Sequence, residues 1–111
     1  MLGEAASFLA AALVHFGVLA SGYDHQKAGT AESVIATVLL LAVAWTWIRP
    51  ASIRGIGLTA QGFALLGTFV GLFTIAIGVG PRTLPDITYH IAIVIVLIAG
   101  LVVAKRAHPS A

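Results

Sequence analysis

The chain has 111 residues, 59% of them hydrophobic and only 9% charged, with a mean hydropathy of +1.05. Soluble domains carry about 25% charged residues, so a water-soluble globular fold is excluded. The isoelectric point near 9.5 reflects a net charge of only +2, with the basic residues at the ends of apolar runs, which suits membrane topology and not a nucleic-acid surface.

Cysteine is absent, which removes disulfides, thiolate metal sites and a cysteine nucleophile. The apolar matter falls into four blocks, each near the roughly 20 residues that cross a bilayer. The expected fold is an all-α integral membrane protein, a four-transmembrane-helix up-down bundle with short loops in one domain, 1–111. Helices are predicted at about 3–21, 31–49, 55–79 and 85–104, with a short tail over 105–111.

The first block resembles a signal peptide in length. Its start holds Glu4 and no Lys or Arg, the opposite of a signal's basic region, so it is expected to stay as a helix. The second helix is expected to open at Thr30 as N-cap, with Glu32 in its first turn beside the positive end of the helix dipole. It ends at Arg49, before Pro50, with Trp45 and Trp47 placed as interfacial aromatics.

The third block carries a stripe of small residues at spacings of three and four: Ala60, Ala64, Gly67, Gly71, Thr74 and Gly78. Gly67 and Gly71 form a GxxxG. In lipid such a stripe lets a second backbone approach closely. It fits packing within the bundle or a contact with a second copy or a larger membrane complex. The fourth helix begins at Thr83-Leu84-Pro85-Asp86. Thr83 and Asp86 fit a capping box with Asp in place of Glu, and proline is allowed in a first turn. Its apolar run stops at Lys105 and Arg106. Strands are excluded, because an open sheet edge in lipid leaves backbone groups unpaired.

With four spans, Arg49, Arg54, Lys105 and Arg106 share one side, and Lys27 and Arg82 the other. The positive-inside rule then predicts both termini in the cytoplasm, in a bacterial inner or plasma membrane.

The opposite side collects the polar residues, including Tyr23, Asp24, His25, Glu32, Asp86, Tyr89 and His90. His90 follows Asp86 by four residues, on the same helix face. Asp86 can then fix its tautomer and leave the second ring nitrogen for a proton or a metal. His15 lies deep in an apolar span, where ionisable groups are rare and face a bundle interior or a cavity. Gln61 is the other deep polar residue. At 1.5 Å per residue, His15 and His90 differ in depth by only about 3 Å. Two such histidines suit a haem b iron, a quinone or a proton relay with Asp86 and Tyr89. Asp24, His25, Asp86 and His90 form a weak metal-site candidate of oxygen and nitrogen ligands. No nucleophile motif and no phosphate loop are present.

Three functions follow. The first is a non-enzymatic accessory or scaffold protein associating through the third helix, as a homo-oligomer or within a larger membrane complex. The second is a small oligomeric transporter or channel using His15, Gln61, Asp86 and His90. The third is a redox protein holding haem b or a quinone between His15 and His90. The lipid bilayer is the common partner; nucleic acid is not one.

Overall fold

Two glycines decide where the odd-numbered helices stop. The first helix, α1, spans Leu2–His15 and is capped at Phe16. Gly17 then turns left-handed at φ 79°, a conformation open to glycine at little cost. The Gly17 amide donates to the Val14 carbonyl and the Val18 amide to the Leu13 carbonyl. That pair of bonds is a Schellman cap. The same device closes the third helix, α3, Ile53–Ala76. There Gly78 has φ 86°, and Gly78 and Val79 donate to the carbonyls of Ile75 and Thr74. Both helices stop short of the expected residues 21 and 79, because the glycines end them at His15 and Ala76.

The second helix, α2, spans Gln26–Ile48. Its cap is His25, whose Nδ1 accepts from the Ala28 amide at 3.1 Å. Thr30, the expected cap, lies inside the helix, where its hydroxyl donates back to the Gln26 carbonyl. A single 3-10 turn, Pro50–Ser52, leads into α3. The fourth helix, α4, spans Leu84–Arg106 and opens with the Thr83–Asp86 capping box.

These are the elements of a computed structural model, which describes residues 1–19, 22, 25–80 and 82–107. The fold is all-α, with α1 packed along α2 and α3 along α4 in up-down hairpins. The hairpins meet chiefly through α2 and α3, while α1 and α4 approach only locally. The Cα extents are 48 × 24 × 16 Å. The long axis matches a bilayer with its headgroups, about 40–45 Å.

Among the described residues, three helical segments are long and apolar enough to cross a membrane: Gln26–Ile48, Pro50–Ala76 and Leu84–Arg106. With 14 residues α1 is about 21 Å long, short of the roughly 30 Å hydrocarbon core. The chain is a small polytopic membrane protein. Its outward side chains are large and apolar: Leu41, Leu66, Phe73, Ile95 and Val103 are each more than 60% exposed. In water such a surface would be untenable; in lipid it is the solvated face.

The core lies on the small residues. Ala36, Leu39, Ala60, Ala64 and Leu97 are buried in one cluster. The stripe on α3 turns into this core. A Cβ on Gly67 would come within 3.0 Å of Ile35, and one on Gly71 within 3.0 Å of His90. Gly78 lies beyond the helix and is exposed. The small residues therefore serve close packing within the chain, against α2 and α4.

Candidate functional site

Along α2, the buried positions run Gly29, Glu32, Ile35, Ala36, Leu39, Ala42 and Thr46. That is a helical face with a carboxylate in register with its leucines. Because α2 starts at Gln26, Glu32 stands in the second turn, turned inward and away from the dipole position expected of it. Gly29 makes room for Phe16, whose ring would come within 2.8 Å of a Cβ there. Phe16 thereby covers the end of α1.

That end presents His15. Its Nε2 donates to Asp86 Oδ1 of α4 at 2.7 Å. Its Nδ1 lies 2.8 Å from both carboxylate oxygens of Glu32, and the bond is aimed at Oε2. Oε1 is buried with no hydrogen-bond partner. His15, Glu32 and Asp86 are 3%, 5% and 6% exposed. Three helices thus deliver three ionisable groups to one point. Carboxylate oxygens accept, so the ring donates from both nitrogens as an imidazolium between two carboxylates. One negative charge is in excess.

Asp86 is held from its own helix as well. Its Oδ2 accepts from the Thr83 amide at 3.2 Å and from the Thr83 hydroxyl. The capping box thereby orients the carboxylate that faces His15.

His90 lies one turn further along α4. Asp86 does partner it, but through the backbone: His90 Nδ1 donates to the Asp86 carbonyl at 2.7 Å. The expected side-chain bond does not form, because the Asp86 carboxylate is committed to His15 and Thr83. With its proton on Nδ1, His90 keeps a lone pair on Nε2, the atom that faces Gly71.

Tyr89 points to α1. Ser7 donates its hydroxyl proton to the Glu4 carbonyl, so Tyr89 donates to Ser7, with the oxygens 3.2 Å apart. Its ring meets Phe8 edge-on. Gln61 stands apart in the dry half of the bundle, against Gly100, with its Oε1 unpartnered.

Two hollows flank the triad. A groove of about 480 Å³ between α1 and α4 has His15, Asp86 and Tyr89 in its wall. A cavity of about 160 Å³ among α2, α3 and α4 is lined by Glu32, His90, Thr68 and Gly71. The triad separates them.

The metal-site expectation fares less well. His25 caps α2 through Nδ1, and its Nε2 donates to the Val79 carbonyl at 3.1 Å. Asp24 and Tyr23 lie outside the described residues. Among the described residues no group of three or more His, Cys, Asp or Glu side chains is placed to hold a metal ion. His15 has a carboxylate on each ring nitrogen, so it offers no lone pair to a haem iron. Comparison with protein-family models, with curated proteins and with solved structures finds no match.

Sequence reasoning overlooked Glu32 as a site residue. The signal was there: Glu32 precedes Ile35, Ala36 and Leu39 at the spacing of a buried face.

Proposed function

We propose that this small polytopic membrane protein binds and exchanges a proton at Glu32–His15–Asp86, and that this is the coupling site of a small transporter. The observation that carries the reading is the His15 imidazole held between two carboxylates from two other helices, all three groups buried. Ionisable groups inside a membrane bundle are costly, and they mark ion and proton paths. A mere tie between helices could use neutral groups at far lower desolvation cost.

The hollows support the same reading. The groove reaches His15 and Asp86 and the cavity reaches Glu32, so a proton has access to the triad from two directions. The other half of the bundle is filled by Leu39, Ala64 and Leu97. Both routes open at the same end of the bundle, as in an outward- or inward-facing state of a transporter. With the end that carries Arg49, Arg54, Lys105 and Arg106 placed in the cytoplasm, the site faces the outside. Four helices enclose little space of their own, which favours an oligomer as the working unit. The accessory-protein reading draws less support, since the third helix uses its small residues inside the chain.

Proteoliposomes with a pH dye inside test this. Under an imposed potential the wild type acidifies the lumen. Asp86→Asn and Glu32→Gln, both nearly isosteric, reduce the rate at least tenfold. Equal rates in protein-free and protein-containing vesicles would end the proposal.

A further inference from the structure

The triad does not use everything near it. Glu32 Oε1 is buried and touches the His15 imidazolium, but accepts no aligned hydrogen bond among the described residues. His90 Nε2 carries a lone pair and has no hydrogen-bond partner among the described residues. Both residues are more than nine-tenths buried, and both line the same cavity of about 160 Å³. Two acceptors with spare lone pairs on one cavity suit a guest that donates N–H or O–H bonds. The excess negative charge of the triad calls for a cation.

The chemistry narrows further. A cavity near 150 Å³ admits a guest of about benzene size. Most of this wall is apolar, including Ile35, Val70 and Ile93, and Phe8 and Tyr89 add aromatic rings. Such walls suit a short alkyl body, and the rings favour a positive charge beside them. A bare metal ion is a poor guest, since it would find only one carboxylate and one imidazole there.

Arg82 donates to the carbonyls of Ile75 and Ala76 at the end of α3. Lys27 lines the cavity but is an exposed side chain. The titratable groups around Glu32 are His15 from α1, His25 and Lys27 from the start of α2, and Asp86, Tyr89 and His90 from α4. From α3 come Thr68, Thr74 and glycines, with no charge.

We infer that the cavity between α2, α3 and α4 binds a small primary alkylammonium ion, its N–H groups donating to Glu32 Oε1 and His90 Nε2. The inference rests on the proton-exchange reading and names its substrate class. A proton on the triad and an ammonium ion in the cavity cancel the same excess charge. They compete, which is the logic of exchange.

The test is equilibrium binding of radiolabelled methylammonium to the full chain, purified in mild detergent. Saturable binding of one ion per chain is expected, weakening at least tenfold as the pH is lowered through the proton-binding range of the triad. Glu32→Gln and His90→Leu should each weaken it at least tenfold. Gly71→Ala is the milder variant, since it removes no ionisable group and sets a methyl within 3.0 Å of His90 Nε2; it too should weaken binding. No saturable binding by the wild type, or binding untouched by both His90→Leu and Gly71→Ala, would overturn the inference. The proteoliposome proton assay on the same preparation separates the two ideas. Proton exchange without methylammonium binding removes the substrate class alone. Binding with no proton movement, beyond that of protein-free vesicles, under an imposed methylammonium gradient removes the coupling, because one-for-one exchange of two monovalent cations is driven by the gradient and not by a potential.

Discussion

The two ends of this bundle use small residues for opposite purposes. At the end that holds Ala36, Ala60, Ala64 and Gly57, small side chains bring helices together, beside a largely apolar groove of about 400 Å³ at Ala60. Gly57 lies so close to α4 that a Cβ there would come within 3.0 Å of the Ala104 methyl. At the other end, Gly71 faces His90 and Gly29 faces Phe16, and the room made there is taken by an imidazole and by a phenyl ring. One end is dry packing; the other is a polar centre between two hollows. In lipid there is little hydrophobic drive between helices. The dry end then holds the helices through contact, and the polar end is free to carry chemistry at a cost in stability.

The strongest way to break that contrast is to remove the centre of the polar end. His15→Ala leaves Glu32 and Asp86 buried without their shared partner, and a broken buried ion pair costs about 3–5 kcal/mol. Thermal unfolding in detergent should show the largest loss of any single variant here. Adding Glu32→Gln to His15→Ala should recover part of it, because one uncompensated charge is gone.

At the dry end, Ala64→Leu overpacks a position that is 0% exposed. Overpacking costs about 1–3 kcal/mol. Stability should fall while proton exchange per folded molecule stays near the wild-type value. Loss of exchange without loss of stability would erase the distinction between the ends.

Gly17→Ala forces a Cβ into the left-handed turn that ends α1, at about 1–2 kcal/mol. The penalty should appear in thermal stability, with a smaller effect on exchange as His15 shifts. Thr83→Ala removes the cap that orients Asp86, worth about 1 kcal/mol. Its signature is asymmetric: a small change in stability with a clear change in the pH profile of exchange, because Thr83 holds the carboxylate facing His15. Thr83→Ser should restore both.

Much of the architecture was legible in the sequence. Helix count, the stop before Pro50 and the Thr83–Asp86 cap follow from local rules that these residues obey. The length of α1 was not read correctly. Gly17 lies in an apolar run, and hydropathy alone does not separate a left-handed cap from a glycine within a membrane helix. The start of α2 was hidden by a better-looking alternative: Thr30 is a favoured cap residue, but His25 holds the position. That shift of about one turn concealed Glu32. Its role also depends on pairings that no local spacing encodes, since His15 finds its acids 17 and 71 residues away. His15 was singled out because charge at depth is rare, and Asp86 and His90 because they lie four residues apart on one helix face. Which atoms they share was not legible, because it depends on how the two hairpins meet.

The most direct test of the central claim is the state of His15 itself. Protein labelled with 15N in its histidine rings, held in lipid nanodiscs, can be titrated from about pH 5 to about pH 8 by NMR. A proton-exchanging centre predicts that the resonances of the two His15 ring nitrogens shift within that range, as a proton joins a carboxylate that the ring donates to, and that Asp86→Asn moves the transition. His15 resonances that do not change across the range, in wild type and variant alike, would make the triad a static tie between helices and contradict the account.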